Sequence, residues 1–190
     1  LKLREAFVPY LYAAFRKYAT EGIPPFRALV LDYPDDPETH SLDLQYLMGD
    51  DVLVAPLTAE ETERSVYLPA GTWYSFWDQT PYEGGRHYTI APPLEQIPLF
   101  IKAGTTLPLA LSIEHQKDGY DIPLAVTFYG PTCRDAVLFE DDGVSYDFEE
   151  GDFNVVSIHD ASTSEGKIVR QGRFPKPVYH VARWTRIGVF

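Results

Sequence analysis

Neither face of the stretch Ser65 to Gln79 (SVYLPAGTWYSFWDQ) can be left in water. Val66 and Leu68 alternate with more polar neighbours up to a Pro-Ala-Gly corner at Pro69 to Gly71. Successive side chains of an extended chain point to opposite sides. Trp73, Ser75 and Trp77 therefore project one way, and Tyr74 and Phe76 the other. The spacing predicts a hairpin carrying aromatics on both faces. Such a sheet has to be covered twice, once by its own domain and once by something else.

The residues before this stretch begin on a different period. Leu3, Phe7, Tyr10, Leu11, Ala14, Phe15 and Tyr18 fall on one side of an amphipathic helix. Pro9 should kink the helix or mark its restart, and Gly22 followed by Pro24 and Pro25 should stop it. A lone helix with so apolar a stripe cannot close a core, so it is expected to dock on something mostly outside this segment. From Pro25 the period becomes two. Ala28 to Leu31 reads as a short strand, and Tyr33 to Pro37 as a turn. Leu42 to Met48 reads as a brief helical piece capped by Ser41, and Val52 to Leu57 as a buried strand. The strands around Val66 and Trp73, a Gly84-Gly85 turn, Ile97 to Lys102 and Leu107 to Leu109 complete a set of short strands that argues for a β-sandwich.

Ser112 to Asp121 is polar and is read as a domain boundary. Beyond it Leu124, Val126 and Phe128 alternate with their neighbours, Gly130-Pro131 turns the chain, and Ala136 to Glu140 returns. Asp142-Gly143 is a hairpin signal leading into Ser145 to Phe148. Phe153 to His159, Lys167 to Arg170 and Val178 to Trp184 add further strands, so the second domain is again all-β. The chain starts at Leu1 inside a helical pattern and ends on apolar residues, Ile187 to Phe190. Both are features expected of a segment of a longer protein, with the second β-domain cut short.

Composition narrows the partners. With 190 residues, 45% of them hydrophobic and 14% aromatic, the chain can bury a sizeable core and is not disordered. Sixteen basic against 28 acidic residues give a net charge of -12, which repels phosphate backbones, so nucleic acid and anionic membrane are not expected partners. No apolar run reaches the roughly 20 residues of a membrane span, and no signal peptide is visible. The single cysteine, Cys133, allows no internal disulfide and no thiolate metal site.

The residues that could carry chemistry are scattered. His40, His87, His115, His159 and His180 show no metal-ligand spacing, and no nucleotide loop or serine elbow is present, so neither cofactor nor metal is expected. The carboxylate doublets Asp35-Asp36, Asp50-Asp51, Glu140-Asp141-Asp142 and Glu149-Glu150 are adjacent in sequence and point apart on a strand. Glycoside hydrolysis needs two carboxyl groups about 5 to 9 Å apart across a sugar, so none of these makes a catalytic pair. Trp73 and Trp77, with Tyr74 and Tyr82, are candidates for a sugar-stacking platform, although alternation across both faces suits burial better.

The order of motifs resembles the C-terminal part of glycoside hydrolase family 31, the α-glucosidases and α-xylosidases. The matching residues are Arg4 with PYLY at Pro9 to Tyr12, Gly22-Ile23-Pro24, and Arg27 within PPFRALVLDYPDD. DLQYLMGDDVLVAPL from Asp43 to Leu57, VYLPAGTWYSFWD and Gly84-Gly85 follow. IPLFIKAGTTLPL from Ile97 to Leu109 and LFEDDGVSYDFEEG from Leu138 to Gly151 complete the series. The match is specific from Leu1 to about Gly151 and weaker after it.

The resemblance implies a mainly β chain in three parts. Residues 1–24 would be the last helix of a (β/α)8 catalytic barrel, 25–111 a proximal β-sandwich and 112–190 an incomplete distal β-domain. The barrel would then supply the second covering of the aromatic hairpin. The resemblance also implies a retaining mechanism whose nucleophile and acid/base aspartates lie upstream of Leu1, so no catalytic residue is carried onto this chain. The expected partner is that upstream barrel, with carbohydrate reaching the protein through it and the isolated segment inactive. Arg4 and Arg27 are expected to pair with acids such as Asp32 or Asp43. A free-standing carbohydrate-binding module, with Trp73 and Trp77 as its platform, and an oligomerisation module are the alternatives.

Overall fold

The computed structural model describes residues 2–58, 60–111, 121–161 and 165–188. Ser112 to Tyr120, where the sequence places the polar boundary, lie outside the described residues, as do His115 and the ends Leu1, Val189 and Phe190. The chain is mainly β and divides into two compact units. One is continuous, Ile23–Ala103, and the other combines Leu1–Gly22 with Gly104–Phe190.

The chain begins with α1 (Lys2–Ala6) and α2 (Val8–Glu21). Pro9 stands in the first turn of α2, where its missing N–H costs nothing, so it marks a restart rather than a kink. Gly22 closes α2 in the left-handed region, at φ 76°, with its N–H donating to the Tyr18 carbonyl.

The continuous unit holds β1 (Phe26–Arg27), β2 (Tyr46–Met48), β3 (Val52–Val54), β4 (Arg64–Leu68), β5 (Thr72–Ser75), β6 (Pro81–Glu83), β7 (Arg86–Ile90) and β8 (Leu99–Lys102). A six-stranded antiparallel sheet runs in the order β1-β2-β3-β8-β5-β6, and β4 pairs with β7 in a second, two-stranded sheet. Leu47, Leu53, Trp73 and Phe100 from the large sheet meet Val66 and Leu68 from the small one in an apolar core. On the opposite face of the large sheet Met48, Val52, Val54, Tyr74, Leu99 and Ile101 are buried as well. Residues on both faces of the large sheet are therefore buried, as the alternation of aromatic side chains predicts.

The Ser65–Gln79 stretch is not a hairpin. β4 and β5 belong to different sheets, and the corner at Pro69–Gly71 carries the chain from one to the other. The return crossing at Gly84-Gly85 lies beside it. Gly84 N–H donates to Gly71 O at 2.6 Å, and Gly85 N–H to Leu68 O at 2.7 Å. The Trp73 indole N–H donates to Pro69 O, holding the large ring under the corner. Gly84 is required here, because a Cβ at that position would overlap the Pro69 carbonyl.

Three local expectations change. Leu29–Leu31 is a 3-10 turn rather than a strand, since Arg27 grips Asp32 five residues on and curls the backbone between them. The helical piece expected at Leu42–Met48 lies earlier, at Pro37–Ser41. Asp36 caps it by accepting the Glu38 N–H, and Pro37 starts it, while Tyr46–Met48 is strand. Ser145–Phe148 forms no returning strand. The Asp142 carboxylate accepts the N–H groups of Val144 and Ser145, and the chain curls into a 3-10 turn at Asp147–Glu150.

The discontinuous unit is a sandwich of two three-stranded sheets built from β9 (Thr105–Ala110), β10 (Ile122–Tyr129), β11 (Ala136–Glu140), β12 (Asn154–His159), β13 (Lys167–Gly172) and β14 (Tyr179–Ile187). β9 and β14 flank β10, the first antiparallel and the second parallel, and β11-β12-β13 is antiparallel throughout. A boundary after residue 111 would leave β9 with the preceding strands. Its ladder to β10 places it here instead. Leu124, Val126 and Phe128 face Leu138, Val156 and Ile158 across the core. Helix α2 packs against β9 and β11, so it docks on this chain and not only on something outside it.

Candidate functional site

The aromatic candidates separate. Trp73 is wholly buried in the core and has no face open to a ligand. Tyr82 meets Tyr88 and Phe100 edge-on at 4.9 and 5.3 Å and packs on the same core. Trp77 sits in the turn after β5, 38% exposed, with its indole N–H donating to Ile97 O and its ring edge-on to Phe76. One exposed indole tethered to a loop is not a stacking platform, which needs a ring face flanked by polar groups.

Arg27 organises the entrance to the continuous unit. Its guanidinium donates to both Asp32 oxygens at 2.5 and 2.7 Å, to Asp50 at 3.0 Å, and to the carbonyls of Pro24 and Gly49. The Asp32 hydrogen bond is the main reason its pKa is raised. The expected Arg27–Asp32 pair is therefore present, and Asp50 joins it. Arg4 is exposed on α1.

The acidic stretch Glu140-Asp141-Asp142 lies where β11 ends beside α2. Glu140 points into the sandwich with 1% of its surface exposed. Its carboxylate accepts from the N–H groups of Val178 and Tyr179 at 3.1 and 3.0 Å, from Asn154 at 3.2 Å, and from Arg170. Asp141 leaves the strand on the other side and accepts the Tyr12 hydroxyl and the Gly143 N–H. Burial and this acceptor together push the Tyr12 pKa above its ordinary value. A third carboxylate, Asp160, takes the Arg186 guanidinium and the Cys133 N–H. Cys133 is buried, and burial pushes its thiol up to about 11, so it is a poor nucleophile at neutral pH.

The described histidines lie apart. His40 meets Pro34 O, His159 meets Asp135, and His180 meets Asp121. His87 lies between Ser65 Oγ at 3.2 Å and Glu38 at 3.1 Å. This hydroxyl, imidazole and carboxylate stand in line, but all three residues are exposed, and such a triad works only in a water-excluded site with converging donors. Among the described residues no group of three His, Cys, Asp or Glu side chains could hold a metal ion.

The sequence reading did not single out Tyr12, Glu140, Asp160 or Arg186 as structurally important. For Glu140 a signal exists. It shares strand parity with the buried Leu138, and a carboxylate at an inward position demands partners. For Asp160 and Arg186, distant in sequence and outside any pattern, no local signal exists.

Residues 22–107 match the family model described as glycosyl hydrolase family 31 C-terminal domain. The chain is 30% identical to alpha-glucosidase 2 of Bacillus thermoamyloliquefaciens over 201 aligned residues, covering 100% of this chain and 25% of that protein. It is 32% identical to the alpha-xylosidase of Saccharolobus solfataricus, covering 83% of this chain and 22% of the relative. The crystal structure of the GH31 alpha-xylosidase from Xanthomonas citri superposes with a TM-score of 0.83 at 32% identity, over 98% of this chain and 21% of that one. The chain thus spans about a quarter of the length of these relatives. In motif order, in its mainly β fold and in these matches, it belongs to glycoside hydrolase family 31, as a part of that family's C-terminal region.

Proposed function

We propose that this chain is the non-catalytic C-terminal part of a retaining α-glycosidase acting on α-glucosides or α-xylosides, and that it supports the enzyme's catalytic barrel. Helix α2 is the last helix of that barrel, the continuous unit corresponds to the proximal sandwich, and the sheets of the discontinuous unit form the distal domain. The two-faced helix carries this reading. Pro9, Tyr12, Ala13 and Arg16 share the side that lies on β9 and β11. At about 100° per residue Leu11, Phe15 and Tyr18 fall on the opposite side. There Phe15 and Tyr18 remain 50% and 53% exposed. A helix that turns its apolar stripe away from its own support fits one shared with a second body.

The carboxylates agree with a supporting role. Glu140, Asp141, Asp160, Asp32 and Asp50 are all engaged with cations, hydroxyls or backbone N–H groups of the fold. The nucleophile and acid/base of a retaining mechanism would come from the ends of barrel strands, and the sugar would bind there. The purified chain should release no glucose or xylose from aryl α-glycosides, and oligosaccharides should cause no saturable change in tryptophan fluorescence. Sugar release would overturn the reading. Saturable quenching abolished by Trp77→Ala would replace it with a carbohydrate-binding module.

A further inference from the structure

Helix α2 is attached to edge strands of both sheets of the sandwich by an unusual set of residues. On the side that meets β9 and β11 it offers Pro9 and Ala13 as its apolar contacts, both small, while Leu11, Phe15 and Tyr18 lie on the far side. The bulk on the docked side comes from Tyr12 and Arg16, four residues apart and therefore stacked on one face. The Tyr12 ring leans on Phe139 with centroids 5.9 Å apart, and the Arg16 guanidinium lies over Phe139 and Phe153 at 4.9 and 5.2 Å. The Tyr12 hydroxyl reaches both Asp141 oxygens, at 2.6 and 2.8 Å. Asp141 is buried and held from behind by the Gly143 N–H, and its neighbour Glu140 ties β11 to β12, β13 and the start of β14.

We propose that Tyr12 and Asp141 form a latch that seats helix α2 on the sandwich of the discontinuous unit, so that opening this one contact frees the helix while the sheets stay folded. Tyr12 and Asp141 are then positioning residues for the helix, with Glu140 as the fixed post to which the latch is bolted. The consequence for an enzyme rests on α2 being a barrel helix, since the latch would then set where that helix stands. The latch itself does not depend on that reading.

Amide hydrogen exchange on the whole chain tests the latch. Tyr12→Phe keeps the ring on Phe139 and removes only the hydroxyl. The central amides of α2 should then exchange about tenfold faster or more, the loss of a hydrogen bond to a charged group, while β12 amides keep their protection. Asp141→Asn should act on the same amides. The double variant should be no worse than the more severe single one, as expected for two halves of one contact. A spectroscopic readout separates positioning from bulk stability. The Tyr12 ring resonance, identified by its loss in Tyr12→Phe, should move in Asp141→Asn while those of tyrosines remote from Asp141, such as Tyr67 and Tyr82, stay in place. Equal acceleration in α2 and β12, or none in α2, overturns the latch. Additive effects of the two substitutions do so as well. Whether the chain hydrolyses glycosides has no bearing on any of these outcomes.

Discussion

The two units bury opposite charges. In the continuous unit the cation is inside. The side chains of Arg27 and Arg64 are each 6% exposed, whereas their acid partners Asp32, Asp50 and Glu61 are 30–37% exposed. In the discontinuous unit the acid is inside. The side chains of Glu140 and Asp160 are 0% and 2% exposed, against 30% and 11% for those of Arg170 and Arg186. A guanidinium has five donors and can satisfy itself on carbonyls, as Arg27 does with Pro24 and Gly49, so its acids can stay wet. A buried carboxylate needs donors brought to it. Glu140 takes them from three other elements and so becomes a tie between strands. Buried charge therefore fastens a rim in one unit and a centre in the other.

Substitutions can break this contrast. Glu140→Ala should have the largest effect, about 3–5 kcal/mol, because it leaves Arg170, Asn154 and two N–H groups without their acceptor around a new cavity. Urea unfolding followed through Trp184, which stacks on Phe128, reports this unit. A loss below 1 kcal/mol would remove the central role given to the acid. Gly84→Ala should follow at about 3 kcal/mol, since the added Cβ meets the Pro69 carbonyl, which is backbone and cannot swing aside. Thermal melting would show it, and an unchanged melt would mean that the two crossings can separate freely. Arg27→Ala should be mildest, about 1–2 kcal/mol, because Asp32 and Asp50 are already partly hydrated and remain so. If it costs as much as Glu140→Ala, the contrast between rim and centre fails.

Much of the β character was legible because alternation is local. Leu124, Val126 and Phe128 announced a half-buried strand, and all three are core. Trp73 and Tyr74 were rightly read as facing opposite ways, but their sheet partners were not. The corner Pro69–Gly71 looks like a hairpin turn in sequence, and only the return of the chain at Gly84 shows that it crosses between sheets. Short elements failed where a side chain overrode the period, as Arg27 did for Leu29–Leu31 and Asp36 for Pro37–Ser41. The apolar stripe of the first helix was plain, whereas its docked side was not. Tyr12 and Arg16 bind through a hydroxyl and a guanidinium, which a search for hydrophobic spacing passes over.

The paired crossings have one more consequence. Because the chain leaves the small sheet at Pro69–Gly71 and returns beside the same point at Gly84-Gly85, the β5–β6 hairpin that it lends to the large sheet has its two feet fastened together. The turn at its far end is pinned as well, since the Phe76 N–H donates to Leu99 O and the Trp77 indole to Ile97 O, so the hairpin is held at both extremities and leaves Asp78 and Gln79 exposed to solvent.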